Sequence, residues 1–228
     1  MNKCLLLAAI VVLGISNIAH ADLINRGGGT SAHGTYNLIY DTDRNITWYD
    51  YTNSQDTWWN QVDWASNLSV TFDGQTFINW RLPETVDGVY SYKYKYDSSA
   101  TAGFNITSSE LGHLYYTELG NLGMYDTNGH PRAAGTYGLI NSAPFQNLLS
   151  NSYWSGTEHA LTLTPDAWIF STSFGNQYIY TQGLYLHALA VHDGDVAAAP
   201  LPAPEPTTWL LLGSGLVGLV AFRKVINR

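Results

Sequence analysis

The sequence predicts an α+β fold with two helices, a small antiparallel sheet and long surface loops. Three observations predict it. Two β-prone runs flank a turn early in the chain, two stretches with helical apolar spacing come next, and a series of short strands separated by turns follows. Hairpin, helices, then strands is the order expected when helices and sheet are segregated.

Residues 22–35 (DLINRGGGTSAHGT) are rich in Gly and lack an apolar period, so they read as a flexible lead-in. Residues 38–40 and 46–51 are β-prone and are separated by Asp41-Thr42-Asp43-Arg44-Asn45, whose side chains suit a turn; this is the hairpin. In DTWWNQVDWASNL, Trp58, Val62 and Ala65 share one helical face with Trp64 and Leu68 alongside, and Asp56 or Thr57 can cap the start. The second helix lies in ITSSELGHLYYTELGNLG. Thr107 and Glu110 have capping-box spacing, Leu111, Leu114, Tyr115 and Leu119 form an apolar stripe, and Gly120 can take the left-handed cap. Residues 85–105, rich in Tyr, Ser and Gly, and residues 121–150 read as surface loops. SYWSGTE, DAWIFSTSFGNQYIY and LYLHALAVHDGD read as the strands of a terminal antiparallel sheet.

The flanks carry targeting information. Lys3, an apolar run over residues 5–18 and the small residues Ala19 and Ala21 around His20 read as a secretory signal peptide, residues 1–21, cleaved before Asp22. Cys4 is the one cysteine, so the exported product contains no disulfide. Residues 197–206 form an Ala/Pro-rich linker, and residues 207–228 an apolar segment with a basic tail. Between residues 22 and 203 there are six Lys and Arg against seventeen Asp and Glu, a formal charge of −11, which disfavours binding to nucleic acid or anionic lipid. The many aromatics argue against disorder.

Ile46-Thr47-Trp48, Trp80-Arg81-Leu82-Pro83, Ser109-Glu110-Leu111, Tyr153-Trp154-Ser155-Gly156-Thr157-Glu158, Ala167-Trp168 and Ala190-Val191-x-x-Gly194-Asp195 follow one another along residues 36–196. In this series the chain resembles the Lcl C-terminal-like domain family, named for the end domain of a bacterial collagen-like adhesin. The resemblance implies a C-type-lectin-like fold, shared with formylglycine-generating enzymes. Glu84 stands where members commonly have Thr, and His192-Asp193 where they have Arg-Pro.

Pro204-Glu205-Pro206, the apolar residues 209–222 and the basic Arg223 and Lys224 resemble a PEP-CTERM sorting signal. That resemblance implies recognition and removal by an exosortase, with transient insertion in the inner membrane of a Gram-negative-type bacterium and then a place at the cell surface or in a biofilm matrix. Fourteen helical residues span roughly 21 Å, short of the roughly 30 Å hydrocarbon core. The segment lodges in a bilayer but anchors it marginally, and a plain membrane anchor is the other reading.

Arg81 lies between Trp80 and Leu82 in a stretch expected to be buried, so it needs a carboxylate, which Glu110 or Glu158 could supply. A structural ion pair is favoured over a substrate-binding arginine. Trp80, Leu82, Pro83, Trp154 and Trp168 are expected to be structural. Asp41-x-Asp43-x-Asn45 has the oxygen spacing of a calcium loop but lacks its glycine and distal glutamate, and reads as a hairpin turn. The histidines do not cluster in sequence, and His187 and His192 fall on opposite faces of a strand; neither a metal nor a cofactor is expected. A carboxylate pair can hydrolyse glycosides, and Glu158 and Asp166, near Trp154 and Trp168, are the one grouping to nominate for it; a non-catalytic role in binding sugar is favoured over hydrolysis. Tyr92, Tyr94 and Tyr96 supply aromatic faces for stacking on sugar rings. The function expected is that of a non-catalytic exported protein binding polysaccharide; the alternative is a structural or adhesive surface protein binding other proteins.

Overall fold

The computed structural model describes residues 22–88, 95–160 and 164–197. Along the chain run β1 (Leu23–Ser31), β2 (Gly34–Asp41), β3 (Ile46–Asp56), α1 (Trp58–Ser66), β4 (Val70–Phe72), β5 (Gln75–Phe77) and β6 (Gly103–Phe104). Then come α2 (Glu110–His113), continued by a π-helical turn (Leu114–Glu118), and β7 (Ser152–His159), β8 (Asp166–Ser171), β9 (Asn176–Thr181) and β10 (Leu186–Asp193). The ten strands form one mixed sheet in the order β5-β4-β1-β2-β3-β10-β7-β8-β9-β6. This corrects the expected α+β, C-type-lectin-like fold of two helices on a small antiparallel sheet: the protein is mostly β, with two short helical segments.

The predicted hairpin is β2–β3, with Leu38 opposite Tyr49 and Ile39 opposite Trp48. Because strand side chains alternate between faces, these pairs begin two cores. On one face Leu38, Tyr49, Trp154, Ile169, Ala188 and Ala190 pack with Trp58 and Ala65 of α1 and with Trp80 and Leu82. On the other, Ile39, Trp48, Tyr153, Phe170, Leu189 and Val191 pack with Leu111, Leu114, Tyr115 and Leu119. A sheet covered on both faces selects continuous apolar runs such as Trp168-Ile169-Phe170.

Residues 22–35, expected as a flexible lead-in, form β1, the turn and the start of β2, with β1 antiparallel to β2 from Leu23↔Asp41 to Ser31↔Gly34. The glycines that suggested disorder permit close packing. A Cβ on Gly29 would stand 2.6 Å from Val70 Cγ1 and 2.7 Å from Leu38 Cδ1.

β10 and β7 pair in parallel, at His187↔Tyr153. Beyond it the Trp80–Pro83 segment bridges the two strands. Arg81 exchanges both backbone hydrogen bonds with Val191, at 2.9 and 2.8 Å, and the Gly156 N–H donates to the Pro83 carbonyl at 2.9 Å. Between Trp154 and Glu158 β7 is bulged, which turns its backbone toward that segment.

The second helix differs from expectation in its start and its pitch. Ser109, not Thr107, is the N-cap, its Oγ accepting from the Gly112 N–H. After His113 the ladder widens, with the Leu119 N–H donating to the Leu114 carbonyl five residues back. Gly120 then takes the left-handed cap at φ 62°. At α1, Thr57 is the N-cap but makes no side-chain cap bond; the Asp56 carboxylate accepts from the Thr57 N–H instead. Residues 121–150 are loop apart from isolated bridges, as expected.

Candidate functional site

Arg81 joins three parts of the chain. Its Nη1 and Nη2 donate to Glu110 Oε2 and Oε1, both at 2.8 Å, and Nη2 also reaches Asp193 Oδ1 at 2.7 Å. Glu110 further accepts from the Glu84 N–H at 2.7 Å. Burial works against the guanidinium charge, but Glu110 and then Asp193 outweigh it and raise the pKa above its ordinary value. The bidentate fork ties the Trp80–Pro83 segment to α2 and to the end of β10, a structural arrangement. Of the two carboxylates proposed from sequence, Glu110 is the partner; Glu158 instead accepts from Gln182 Nε2 at 3.4 Å.

Trp80, Trp154 and Trp168 are core residues with satisfied indoles. Trp80 Nε1 donates to the Phe77 carbonyl at 3.0 Å, Trp154 to the Asp56 carbonyl at 3.2 Å, and Trp168 to Asp87 Oδ1 at 2.8 Å. Asp87 also meets His159 Nδ1 at 3.0 Å. Burial pushes the Asp87 carboxyl up, but the hydrogen bonds from His159, Trp168 and the Ala160 N–H outweigh it, leaving the pKa below its ordinary value.

Of the nominated sugar-site residues that are described, Tyr96 stands apart from Glu158 and Asp166. Tyr92 and Tyr94 lie outside the described residues. Glu158 and Asp166 sit on β7 and β8, where Asp166 pairs with Thr181 at one end of β8, while Asn176 pairs with Ser171 at the other end. Five strand residues separate the two ends, about 17 Å. Tyr96 belongs to the Asn176 end. There Tyr96, Phe104, Met124, Tyr125, Phe174 and Asn176 line a cleft of ≈ 410 Å³. Tyr96 stacks on Phe104 with centroids 5.9 Å apart, and Tyr125 leans on both at 5.1 and 5.0 Å. The amide of Asn105 donates to the carbonyls of Tyr96 and Tyr125, fixing the floor. Phe174 stands exposed at the rim. Sequence reasoning missed Phe104, Met124, Tyr125 and Phe174, which come from three separate stretches of chain.

A second cluster unites the hairpin turn with α2. Donor atoms of Asp41, His113 and Glu118 all lie within 4.8 Å of one another. His113 Nε2 is 3.0 Å from Glu118 Oε1 and 3.8 Å from Asp43 Oδ2. Asp41 is buried and shapes the turn, its Oδ1 accepting from the Arg44 N–H at 3.0 Å. Asn45 turns aside, its Oδ1 accepting from the Tyr40 hydroxyl at 2.8 Å, so the Asp-x-Asp-x-Asn spacing acts as a turn. Burial, followed by the charges of Asp41, Asp43 and Asp22, pushes the Glu118 carboxyl up to about 7, with Arg44 opposing. Burial and then the Arg44 charge lower the His113 pKa against the pull of Asp41 and Asp43. No metal set was expected from sequence, where these residues stand far apart or five apart on a helix.

Residues 202–225 match the family model described as the PEP-CTERM protein-sorting motif. The motif supports an exported, cell-surface-directed protein that an exosortase recognises. No curated protein and no solved structure matches the chain, and the resemblance of residues 36–196 to the Lcl C-terminal-like family gains no support from these comparisons. Among the described residues no helix is long and apolar enough to cross a membrane; residues 1–21 and 198–228, with both targeting segments, lie outside them.

Proposed function

We propose that the chain is an exported, exosortase-processed surface or matrix protein that binds neutral polysaccharide and catalyses no reaction on it. The sorting motif over residues 202–225 supports the export half of this reading. The aromatic cleft carries the other half. Tyr96, Tyr125 and Phe174, backed by the buried Phe104, offer ring faces on which the apolar faces of pyranose rings stack, with the Asn176 amide beside them for sugar hydroxyls. With seventeen acidic against six basic residues between positions 22 and 203, the exported part suits a neutral or cationic glycan and repels an anionic one.

A glycan array probed with the exported protein tests this. Binding to a neutral glycan is expected, lost in Phe174→Ala and Tyr125→Ala and retained in Asp166→Asn. Phe174 is exposed, so its replacement leaves the fold intact. No glycan binding, together with self-association or capture of a surface protein, would support the structural or adhesive alternative.

A further inference from the structure

We propose that Asp41, His113 and Glu118 hold a divalent first-row metal ion, Zn²⁺ or Mn²⁺, which staples the β2–β3 hairpin to the helical segment packed on that face of the sheet. This goes beyond the polysaccharide reading and does not depend on it.

Geometry is the first ground. Donor atoms of the three side chains lie within 4.8 Å of one another. Such ions bind imidazole nitrogen and carboxylate oxygen at about 2.0–2.2 Å, so ligand atoms of one tetrahedral site stand about 3.3–3.6 Å apart. Side-chain movements of about 1 Å close the set. Helix pitch makes the pairing possible: on an ideal α-helix residues five apart point about 140° away from each other. The π-turn over Leu114–Glu118 brings His113 Nε2 and Glu118 Oε1 to 3.0 Å instead. Single π-turns of this kind recur at functional sites.

The second ground is an unmet need. The Glu118 side chain is 1% exposed, and its Oε2 is buried without a hydrogen-bond partner. A carboxylate so placed is costly unless a cation or donors satisfy it. Three carboxylates, Asp41, Asp43 and Glu118, converge here, and the basic side chain beside them, Arg44, donates through Nη2 to the Thr107 carbonyl at 2.6 Å. A divalent ion adds, at the donor atoms themselves, to the positive charge that Arg44 brings from beside the cluster.

The donors also choose the metal. One imidazole with carboxylates suits Zn²⁺ or Mn²⁺, whereas Ca²⁺ takes six to eight oxygens. Outer contacts orient the ligands: the Arg44 N–H on Asp41 Oδ1 at 3.0 Å and the Trp48 indole on Asp41 Oδ2 at 3.5 Å leave lone pairs for an ion. Asp43, its side chain 38% exposed and its Oδ2 3.8 Å from His113 Nε2, stands at the mouth as a further ligand.

The test titrates the full chain, purified in detergent and stripped with chelator, with ZnCl₂, MnCl₂ and CaCl₂. Calorimetry counts the sites, Co²⁺ substitution reports the ligand field, and thermal unfolding reads the coupling to the fold. One site that Glu118→Gln and His113→Gln each weaken at least about tenfold is expected, with Zn²⁺ tighter than Mn²⁺ and Ca²⁺ weakest. At a hundredfold excess over Kd the midpoint should rise by about 5–10 °C. Asp43→Asn lies at the exposed mouth and keeps the result readable if a buried variant fails to fold: it should fold and bind more weakly. Zn²⁺ binding equal in wild type and in Asp43→Asn, Glu118→Gln and His113→Gln, no 1:1 site, or preference for Ca²⁺ would overturn the assignment.

Discussion

Replacing Arg81 with alanine removes two parallel charge-assisted hydrogen bonds to Glu110, each 2.8 Å, and two to Asp193 Oδ1, at 2.7 and 3.2 Å. The two acids differ in what they lose. Asp193 is 78% exposed and returns to water, so its share is about 0–1 kcal/mol and is screened by salt. Glu110 is 13% exposed and is left as a nearly buried charge. Removing one partner of a fully buried pair costs about 3–5 kcal/mol. Glu110 keeps the Glu84 N–H at 2.7 Å, and Arg81 is itself 28% exposed, which places the cost at the lower end, about 3 kcal/mol. Urea unfolding of wild type and Arg81→Ala at neutral pH measures it. A double-mutant cycle assigns it, because in a Glu110→Gln background the same substitution should cost less than half as much. A loss under about 1 kcal/mol, or an equal loss in both backgrounds, would refute the reasoning that this fork joins the Trp80–Pro83 segment to α2.

Asp87 makes stability depend on acid. The fold holds its pKa below the ordinary 3.8, so its stabilisation is complete above that value and is lost as pH falls through the folded pKa. Asp87→Asn should be about 1–2 kcal/mol less stable at pH 7 and lose less than wild type between pH 4 and 2; parallel acid-denaturation curves would contradict this. Gly29→Val should destabilise by about 1–3 kcal/mol, since even a Cβ there would stand 2.6 Å from Val70 Cγ1. Unchanged thermal unfolding would show that β1 does not pack against β4.

What was legible in the sequence was mostly what short-range pattern records. The β2–β3 hairpin, α1 and the strands from Ser152 to Asp193 declare themselves through turn residues and apolar periods. β1 did not, because Gly28 and Gly29 report a close approach of neighbours, which only the fold reveals. Missing β1, β4 and β5 left the sheet small and gave the two helices undue weight. The partnership of Arg81 with Glu110 followed from the cost of burying a charge, whereas Asp193, 112 residues away, was invisible to that argument. The aromatic cleft and the Asp41, His113 and Glu118 cluster are long-range products of topology. The cluster needed a π-turn as well, and no local sequence signal announced it.

A folded, largely β domain that is exported and then cut free of its sorting segment should stand at the cell surface without its apolar tail. Mass spectrometry of the protein recovered from the cell surface tests this most directly. The mature chain is expected to begin at Asp22 and to lack residues 209–222 together with Arg223 and Lys224. Glu205→Ala should then leave an uncut species in the inner membrane. Surface protein that retains residues 209–228, with Glu205→Ala changing nothing, would contradict it.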